Sequence, residues 1–320
     1  MNLVTGASGF IGGRLLAKGE RGLVRRNDGR PGLVTGDLQD KESLLRACQD
    51  VECVFHCAGY AHAFTSSDPD AHWRINYQGT CNLLDAAAEA GVRRFVFLSS
   101  AKAIAEPGDE CATETFPGLP ETAYGKSKRE AEHAVLEAAS RHGMHAVILR
   151  PAMVYGHGGK GNLERMARGI RAGWFPPLPE TGNRRSIVHV DDLIDAMRLV
   201  VARHEASGKT YIVADCRPYS GRELYDEIRK CLQMPRLSWH VPAALLHAGG
   251  CCGDFAGKLL GRTLPMNAEV VERLLGSAWY SPSLIESELG WKSRISLPLG
   301  LREMLEGNCA GNNRDIQDLK

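Results

Sequence analysis

Along the first half of the chain, short apolar runs alternate with longer stretches whose apolar side chains recur at helical spacing. Leu3–Thr5, Gly22–Val24, Cys53–His56, Phe95–Ser99 and Ala146–Leu149 read as strands, and Lys41–Gln49, Asn76–Ala90 and Lys126–His142 as helices. The strand runs are continuous in their apolar character, as strands covered on both faces must be. Strands separated by helices of this length build βαβ units, so the pattern predicts an α/β protein with a doubly wound parallel sheet. After Arg150–Pro151 the rhythm becomes irregular, with a glycine-rich stretch at Gly156–Gly161 and a proline-rich one at Phe175–Pro179. A strand at Ser186–Val190, a helix from Asp191 to Ala202 and a strand at Thr210–Ala214 are expected to return to the main sheet. From Ser220 onward the chain reads as helices with short extended links, ending in a polar tail, Glu306–Lys320, expected to be flexible.

Composition narrows the function by exclusion. A length of 320 residues suggests two domains at about 150 residues each. With 39 Lys plus Arg against 38 Asp plus Glu, the net charge is +1, and no segment carries the basic excess of a nucleic-acid binder. No apolar run approaches the roughly 18 residues of a membrane span. Leu3–Val4 leads straight into glycines, unlike a signal peptide. A cytoplasmic protein with neither a nucleic-acid nor a membrane partner is therefore expected. Ten cysteines lack any CxxC spacing, which predicts reduced thiols and no structural metal site.

The first chemical signal is Thr5-Gly6-Ala7-Ser8-Gly9-Phe10-Ile11-Gly12, directly after the first strand. Gly6 permits the turn out of the strand, Gly9 lets a pyrophosphate approach the backbone, and Gly12 allows the following helix to pack closely. The helix start supplies unpaired N–H groups to the anion. This is a dinucleotide site of Rossmann type. After the second strand, where an acidic residue selects NAD by binding the ribose 2′-OH, stand Arg25 and Arg26. Guanidinium groups pair with a 2′-phosphate, which favours NADP(H), while Asp28 keeps NAD open. Asp37-Leu38, after a further short strand, is placed to bracket the adenine.

The second signal is Tyr124-Gly125-Lys126-Ser127-Lys128 at the head of a helix. Residues four apart share a face, and an ammonium beside a phenol stabilises phenolate. Ser99-Ser100 ends a strand 24 residues before Tyr124, at the carboxyl edge where such sheets bind ligands. A serine there can hold the reacting oxygen while the tyrosine exchanges its proton.

Taken with these motifs, His56-Cys57-Ala58-Gly59, Asn76 before Gly79-Thr80, Arg150-Pro151 and Tyr155-Gly156 make the chain resemble the extended short-chain dehydrogenase/reductase family over about residues 1–305. Phe97–Lys102, Lys160-Gly161-Asn162, Asn183–Ser186 and Leu275-Gly276-Ser277 are most similar to its bacterial UDP-sugar 4-epimerases and 4-ketoreductases of surface-polysaccharide synthesis. The resemblance implies Tyr124 as acid/base, Lys128 on the nicotinamide ribose and Ser100 orienting the C4 oxygen. It adds Phe10, Ile11, Cys57, Ala58, Gly59, Asn76 and Pro151 to the cofactor site. It places Asn162 near the nucleotide of a UDP-sugar and Arg185 and Arg273 on its diphosphate. It also implies a homodimer through Asn76–Ala90 and Lys126–His142. The expected domains are 1–152 for the dinucleotide, joined by 184–216, with a smaller, interleaved substrate domain at 153–183 and 217–305, and the tail at 306–320.

The span from Gly12 to Arg25 is shorter than the family pattern, so the first crossover helix should be clipped. Ala103-Ile104-Ala105 replaces the usual VYG, and Ala101-Lys102 replaces the acidic pair of a 4,6-dehydratase. Arg25-Arg26 favours a 4-ketoreductase of a UDP-(2-acetamido)-4-ketosugar, with a UDP-hexose or UDP-N-acetylhexosamine 4-epimerase as the alternative. A non-catalytic dinucleotide sensor on the same fold is the rival of another class. His189, in an apolar strand, reads as a core histidine, and Tyr60 and His62 as residues that line the loop after Gly59.

Overall fold

The computed structural model describes residues 1–17, 19–61, 68, 70–261, 264 and 266–311. The elements run β1 (Asn2–Thr5), α1 (Phe10–Leu15), β2 (Arg21–Val24), β3 (Leu33–Thr35), α2 (Lys41–Cys48) and β4 (Cys53–His56). A π-helical turn (Trp73–Gln78) leads without a break into α3 (Gly79–Glu89). Then come β5 (Arg94–Leu98), a short 3₁₀ turn (Ala101–Ala103), β6 (Cys111–Ala112), α4 (Ala123–His142), β7 (His145–Pro151) and β8 (Met153–Tyr155). The remainder is α5 (Asn162–Arg171), β9 (Ile187–His189), α6 (Val190–Ala202), β10 (Thr210–Val213), α7 (Gly221–Cys231), α8 (Ala243–Leu260), α9 (Ala268–Leu275), β11 (Trp279–Tyr280), α10 (Ser283–Leu289) and α11 (Leu297–Gly311).

Seven strands form one parallel sheet in the order β10-β7-β5-β4-β1-β2-β3. Alternate residues of each strand feed opposite cores. Val4, Phe55, Val96, Leu98, Val147 and Leu149 pack with α6 and α10, whereas Leu3, Val54, Phe95, Phe97 and Ile148 pack with α2, α3 and α4. The strand order reverses between β1 and β4, and the crevice at their carboxyl ends is where such sheets place a ligand. The clipped first crossover is present: α1 has six residues.

Three sequence expectations need correction. Ser186–Val190 does not rejoin the main sheet. β9 pairs with β8 in a separate two-stranded sheet, because the preceding Asn183–Ser186 is tied to the 274–280 segment through Asn183 Nδ2 to Gly276 O (3.1 Å) and Ser186 N to Ala278 O (2.9 Å). Only β10 returns, at the sheet edge beside β7. Within 217–305, α10 packs Ile285 and Leu289 into the core of the large sheet, not into the smaller one built on Tyr155, Met166, Tyr225, Val271 and Leu301. Residues 306–311 continue α11 as helix, and 312–320 lie outside the described residues.

α4 is anchored through its buried face. Glu132 accepts from Arg150 at 2.9 and 2.6 Å and from Ser99 Oγ at 2.5 Å, with both members of the ion pair buried. Glu132→Gln leaves the Arg150 guanidinium without its counter-charge in the interior. The expected loss is about 3 kcal/mol of unfolding free energy, measured by urea denaturation, against about 1 kcal/mol for Ser99→Ala.

Candidate active site

The glycine loop sits at the strand-order reversal. Gly6 has φ +69°, and a Cβ there would stand 2.8 Å from Ala58 N, so only glycine lets the loop lie against the 57–59 segment. A Cβ at Gly12 would come within 2.3 Å of Gly6 O. The loop is thus wrapped tightly onto itself, with Gly9 leading into α1 and Phe10 and Ile11 turned partly into the sheet core. That close wrapping is what a backbone cradle for a pyrophosphate requires.

The 57–60 segment is held from behind by buried polar groups. His56 bridges Thr5 Oγ1 (2.7 Å) and Thr80 Oγ1 (2.9 Å), joining β1, β4 and α3. Burial holds its pKa down near 3, so the ring stays neutral at ordinary pH. Asn76, in the π-helical turn, accepts from Tyr60 N (2.7 Å) and donates to Tyr60 O (3.1 Å) and Ser127 Oγ (3.0 Å). These bonds make it a brace for the loop, with Oδ1 facing Gly59. Cys57 lies beside Lys128, and burial pushes its thiol up to about 12, which keeps it neutral.

Ser100, Tyr124 and Lys128 converge at the carboxyl end of β5. Ser100 caps the 3₁₀ turn, accepting from Lys102 N at 3.2 Å, and its hydroxyl is near enough to the Tyr124 phenol to favour the ionised form against burial. Thr122 caps α4 by accepting from Gly125 N (3.1 Å), which puts Tyr124 in the first turn and Lys128 one turn behind. The Lys128 ammonium donates to Leu98 O (2.9 Å) and lies 4.7 Å from the Phe97 ring centroid. It is also 3.2 Å from where a Cβ on Gly59 would be, so it faces the loop. Burial is the leading influence on both groups: it raises the Tyr124 phenol against the Ser100 hydroxyl, and it lowers Lys128 to about 8 against the nearby Glu132 carboxylate. His72 packs its ring 5.8 Å from Tyr124 and 5.0 Å from Tyr60; His62 lies outside the described residues.

The other expected residues are distributed around this centre. Arg25 and Arg26 are exposed immediately after β2, and Asp28 pairs with Arg30 at 3.0 Å. Asp37 and Leu38 follow β3, with Asp37 Oδ1 accepting from Gln39 N (2.9 Å). Pro151 is the buried last residue of β7. Arg185 donates to Gly276 O (2.9 Å), and the charges of Arg185 and Arg273 both bear on Glu106, which pairs with Lys102 (2.7 Å) two residues past Ser100. The charge of Arg273, which pairs with Glu269 on its own helix, is felt at Arg185 and at Glu106 beyond the β5 loop. Asn162 stands exposed at the start of α5, behind a glycine loop packed around the buried Glu164 carboxyl. His189 is fully buried and caps α6, accepting from Asp191 N at 3.3 Å.

Sequence reading missed Glu132, His56, Ser127 and Lys102–Glu106. Glu132 could have been found: it follows Tyr124 and Lys128 at the same four-residue interval, a carboxylate on the helix face that must be buried.

Comparison with known proteins agrees with this fold. A family model described as NAD dependent epimerase/dehydratase family matches residues 2–214. UDP-glucose 4-epimerase of Vibrio cholerae is 30% identical, covering 98% of this chain and 96% of its own. N-acetyl-alpha-D-glucosaminyl-diphospho-ditrans,octacis-undecaprenol 4-epimerase of Escherichia coli O157:H7 is 26% identical, covering 95% and 94%. The structure of MoeE5 in complex with UDP-glucuronic acid and NAD superposes with a TM-score of 0.76 at 23% identity, covering 97% and 99%, which bears on the fold alone.

Lys128 carries a definite stability signature. Below pH 8 it is charged in both states, and the folded protein bears the full cost of burying that charge. Between about 8 and 10.5 the cost is relieved as the folded state releases its proton first, so stability rises with pH. Lys128→Met is therefore expected to stabilise the protein at pH 7 by about 2 kcal/mol, after allowance for the lost bond to Leu98 O. The advantage should vanish by about pH 10.5 in thermal melts.

Proposed function

The chain belongs to the NAD dependent epimerase/dehydratase family, and from that premise we propose that it is a 4-epimerase of a diphosphate-linked hexose or 2-acetamidohexose, with UDP as the carrier. The observation that carries this reading is the convergence of Ser100 and Tyr124 at the end of β5, with the Lys128 ammonium one helical turn behind the tyrosine and bonded to Leu98 O. The V. cholerae and E. coli relatives, both named as 4-epimerases, support the same chemistry.

The glycine loop would hold the dinucleotide pyrophosphate, Arg25 or Arg26 the adenosine ribose, Asp37-Leu38 the adenine and Lys128 the nicotinamide ribose. When bound, the dinucleotide supplies a carbon that accepts hydride from C4 and returns it to either face of the sugar. Tyr124 takes the proton from the C4 hydroxyl and later gives it back, while Ser100 holds the same oxygen. Leu98 O takes one of the three Lys128 hydrogens. Ribose hydroxyls accepting the others would favour the charged ammonium, and that charge would draw the buried phenol down toward the ionised form. Arg185 and Arg273 would grip the diphosphate, so that binding energy remote from C4 orients the ring. Asn162 would lie toward the nucleotide.

A second reading, the 4-ketoreductase, is favoured by Arg25 and Arg26 standing exposed at the end of β2, where they suit the 2′-phosphate of NADPH. We also propose a homodimer formed through the exposed faces of α3 and α4.

Dinucleotide released by denaturing the purified protein is expected to be NAD for the epimerase. An exchangeable site preferring NADPH, a preference lost in Arg25→Ala/Arg26→Ala, supports the reductase instead. In either case Tyr124→Phe should lower turnover by at least about 100-fold with dinucleotide binding unchanged. Unimpaired turnover in that variant would remove Tyr124 from the chemistry.

A further inference from the structure

The Tyr124 ring has an aromatic neighbour for which the chemistry above has no use. His72 stands just before the π-helical turn and is only 9% exposed. Its ring centroid lies 5.8 Å from that of Tyr124 at an interplanar angle of 63°, an edge-to-face contact. The same imidazole packs 5.0 Å from the Tyr60 ring.

The imidazole is pinned from the other direction. His72 Nδ1 lies 3.0 Å from Tyr60 O, and a carbonyl oxygen can only accept, so Nδ1 carries a proton and the bond restrains the plane of the ring. Tyr60 O takes a second hydrogen from Asn76 Nδ2 (3.1 Å), while Tyr60 N donates to Asn76 Oδ1 (2.7 Å). Asn76 Nδ2 also donates to Ser127 Oγ (3.0 Å), and Ser127 Oγ donates in turn to Tyr124 O (2.8 Å). These contacts close a circuit of five residues: Tyr124, His72, Tyr60, Asn76 and Ser127. Each hydrogen bond in it has one possible direction, because the carbonyls accept and the peptide N–H donates, so the circuit has a single arrangement. Ser127 holds the main chain of Tyr124, and His72 bears on its side chain. The circuit also runs beside the ammonium, since a Cβ on Gly59 would lie 3.2 Å from both Asn76 Oδ1 and Lys128 Nζ.

We propose that His72 is a positioning residue, its ring fixing the orientation of the Tyr124 phenol within the site. The phenol oxygen is at the far end of a side chain that turns about two bonds, so a small rotation carries it off the line to a reacting oxygen. A misplacement of about 1 Å at a reacting group costs on the order of 100-fold in rate. The effect on turnover rests on the reading of Tyr124 as acid/base, whereas the hold on the tyrosine ring does not. Epimerase and ketoreductase need the same alignment, since both exchange a proton between Tyr124 and the C4 oxygen.

Substitution separates the ring of His72 from its hydrogen bond. His72→Phe keeps an aromatic ring beside Tyr124 without the donor, His72→Asn keeps a donor for Tyr60 O without the ring, and His72→Ala removes both. The first measurement needs no substrate: tyrosine-ring NMR of the full-length protein, with the Tyr124 signals identified by their loss in Tyr124→Phe. In His72→Ala and His72→Asn those signals should move toward the positions of an unpacked tyrosine, and in His72→Phe they should stay displaced. The second is steady-state turnover of the wild type's own reaction, C4 epimerisation or NADPH-linked reduction of a 4-keto UDP-sugar. His72→Ala and His72→Asn should lower kcat at least about ten-fold, with KM, dinucleotide affinity and circular dichroism little changed, and His72→Phe should recover most of the loss. Tyr124 signals that do not move in His72→Ala and His72→Asn overturn the proposal whatever the protein turns over. So does a kcat unchanged in those two variants, or an equal loss in His72→Phe, which would assign the effect to the bond with Tyr60 O. Signals that move as expected in a protein that turns over no sugar nucleotide would uphold the hold on Tyr124 and count against the function proposed above.

Discussion

A lysine ammonium kept away from water sets the terms for the rest of this site. Lys128 is buried against the Phe97 ring and anchored to Leu98 O, and burial alone drives it toward its neutral form. The same burial drives Tyr124 toward its neutral form. The pair therefore reaches a useful protonation state only if acceptors arrive for the ammonium, and a dinucleotide ribose is the natural source. The free protein bears a stability cost at neutral pH for this buried charge, a cost that the proposed dinucleotide would offset.

Holding such a lysine in place requires a rigid support. Glu132 lies one turn farther along α4, where Arg150 and Ser99 secure it, so two strand ends and a helix are locked around the ammonium. On the opposite side, His56 joins Thr5 to Thr80, and Asn76 fixes both main-chain groups of Tyr60. The π-helical turn at Trp73–Gln78 has a function here: the extra residue turns Asn76 toward Tyr60 and Ser127. These networks are neutral or fully paired, which is why they can be buried.

The parallel sheet was legible because continuous apolar strands alternate with amphipathic helices, and the Ser100–Tyr124–Lys128 cluster because its spacing is local: a Tyr and a Lys four apart, and a Ser at a strand end. What sequence alone could not show is long-range pairing. Arg150 reads as the close of a strand, yet it is the partner of Glu132. Ser186–Val190 has the composition of a sheet strand, but the hydrogen bonds of Asn183 and Ser186 to the 274–280 segment draw it into a different sheet. Arg185 and Arg273, distant in sequence, influence one another because Asn183 and Arg185 are bonded to Leu274 O and Gly276 O at the end of α9. The outer face of α8 was hidden for another reason. Its apolar periodicity suits a core helix, and only the fold reveals that Leu245, Phe255 and Leu259 stay exposed among the described residues.

The central claim is that hydride leaves C4 of a diphosphate-linked sugar and returns to the same carbon within one active site. The direct measurement is NMR of UDP-glucose or UDP-N-acetylglucosamine deuterated at C4 and incubated with the purified protein without added reductant. The expected product is the C4 epimer with deuterium still at C4. Epimer formed with loss of the label, or no epimer at all alongside reduction of a 4-keto UDP-sugar by added NADPH, would contradict it.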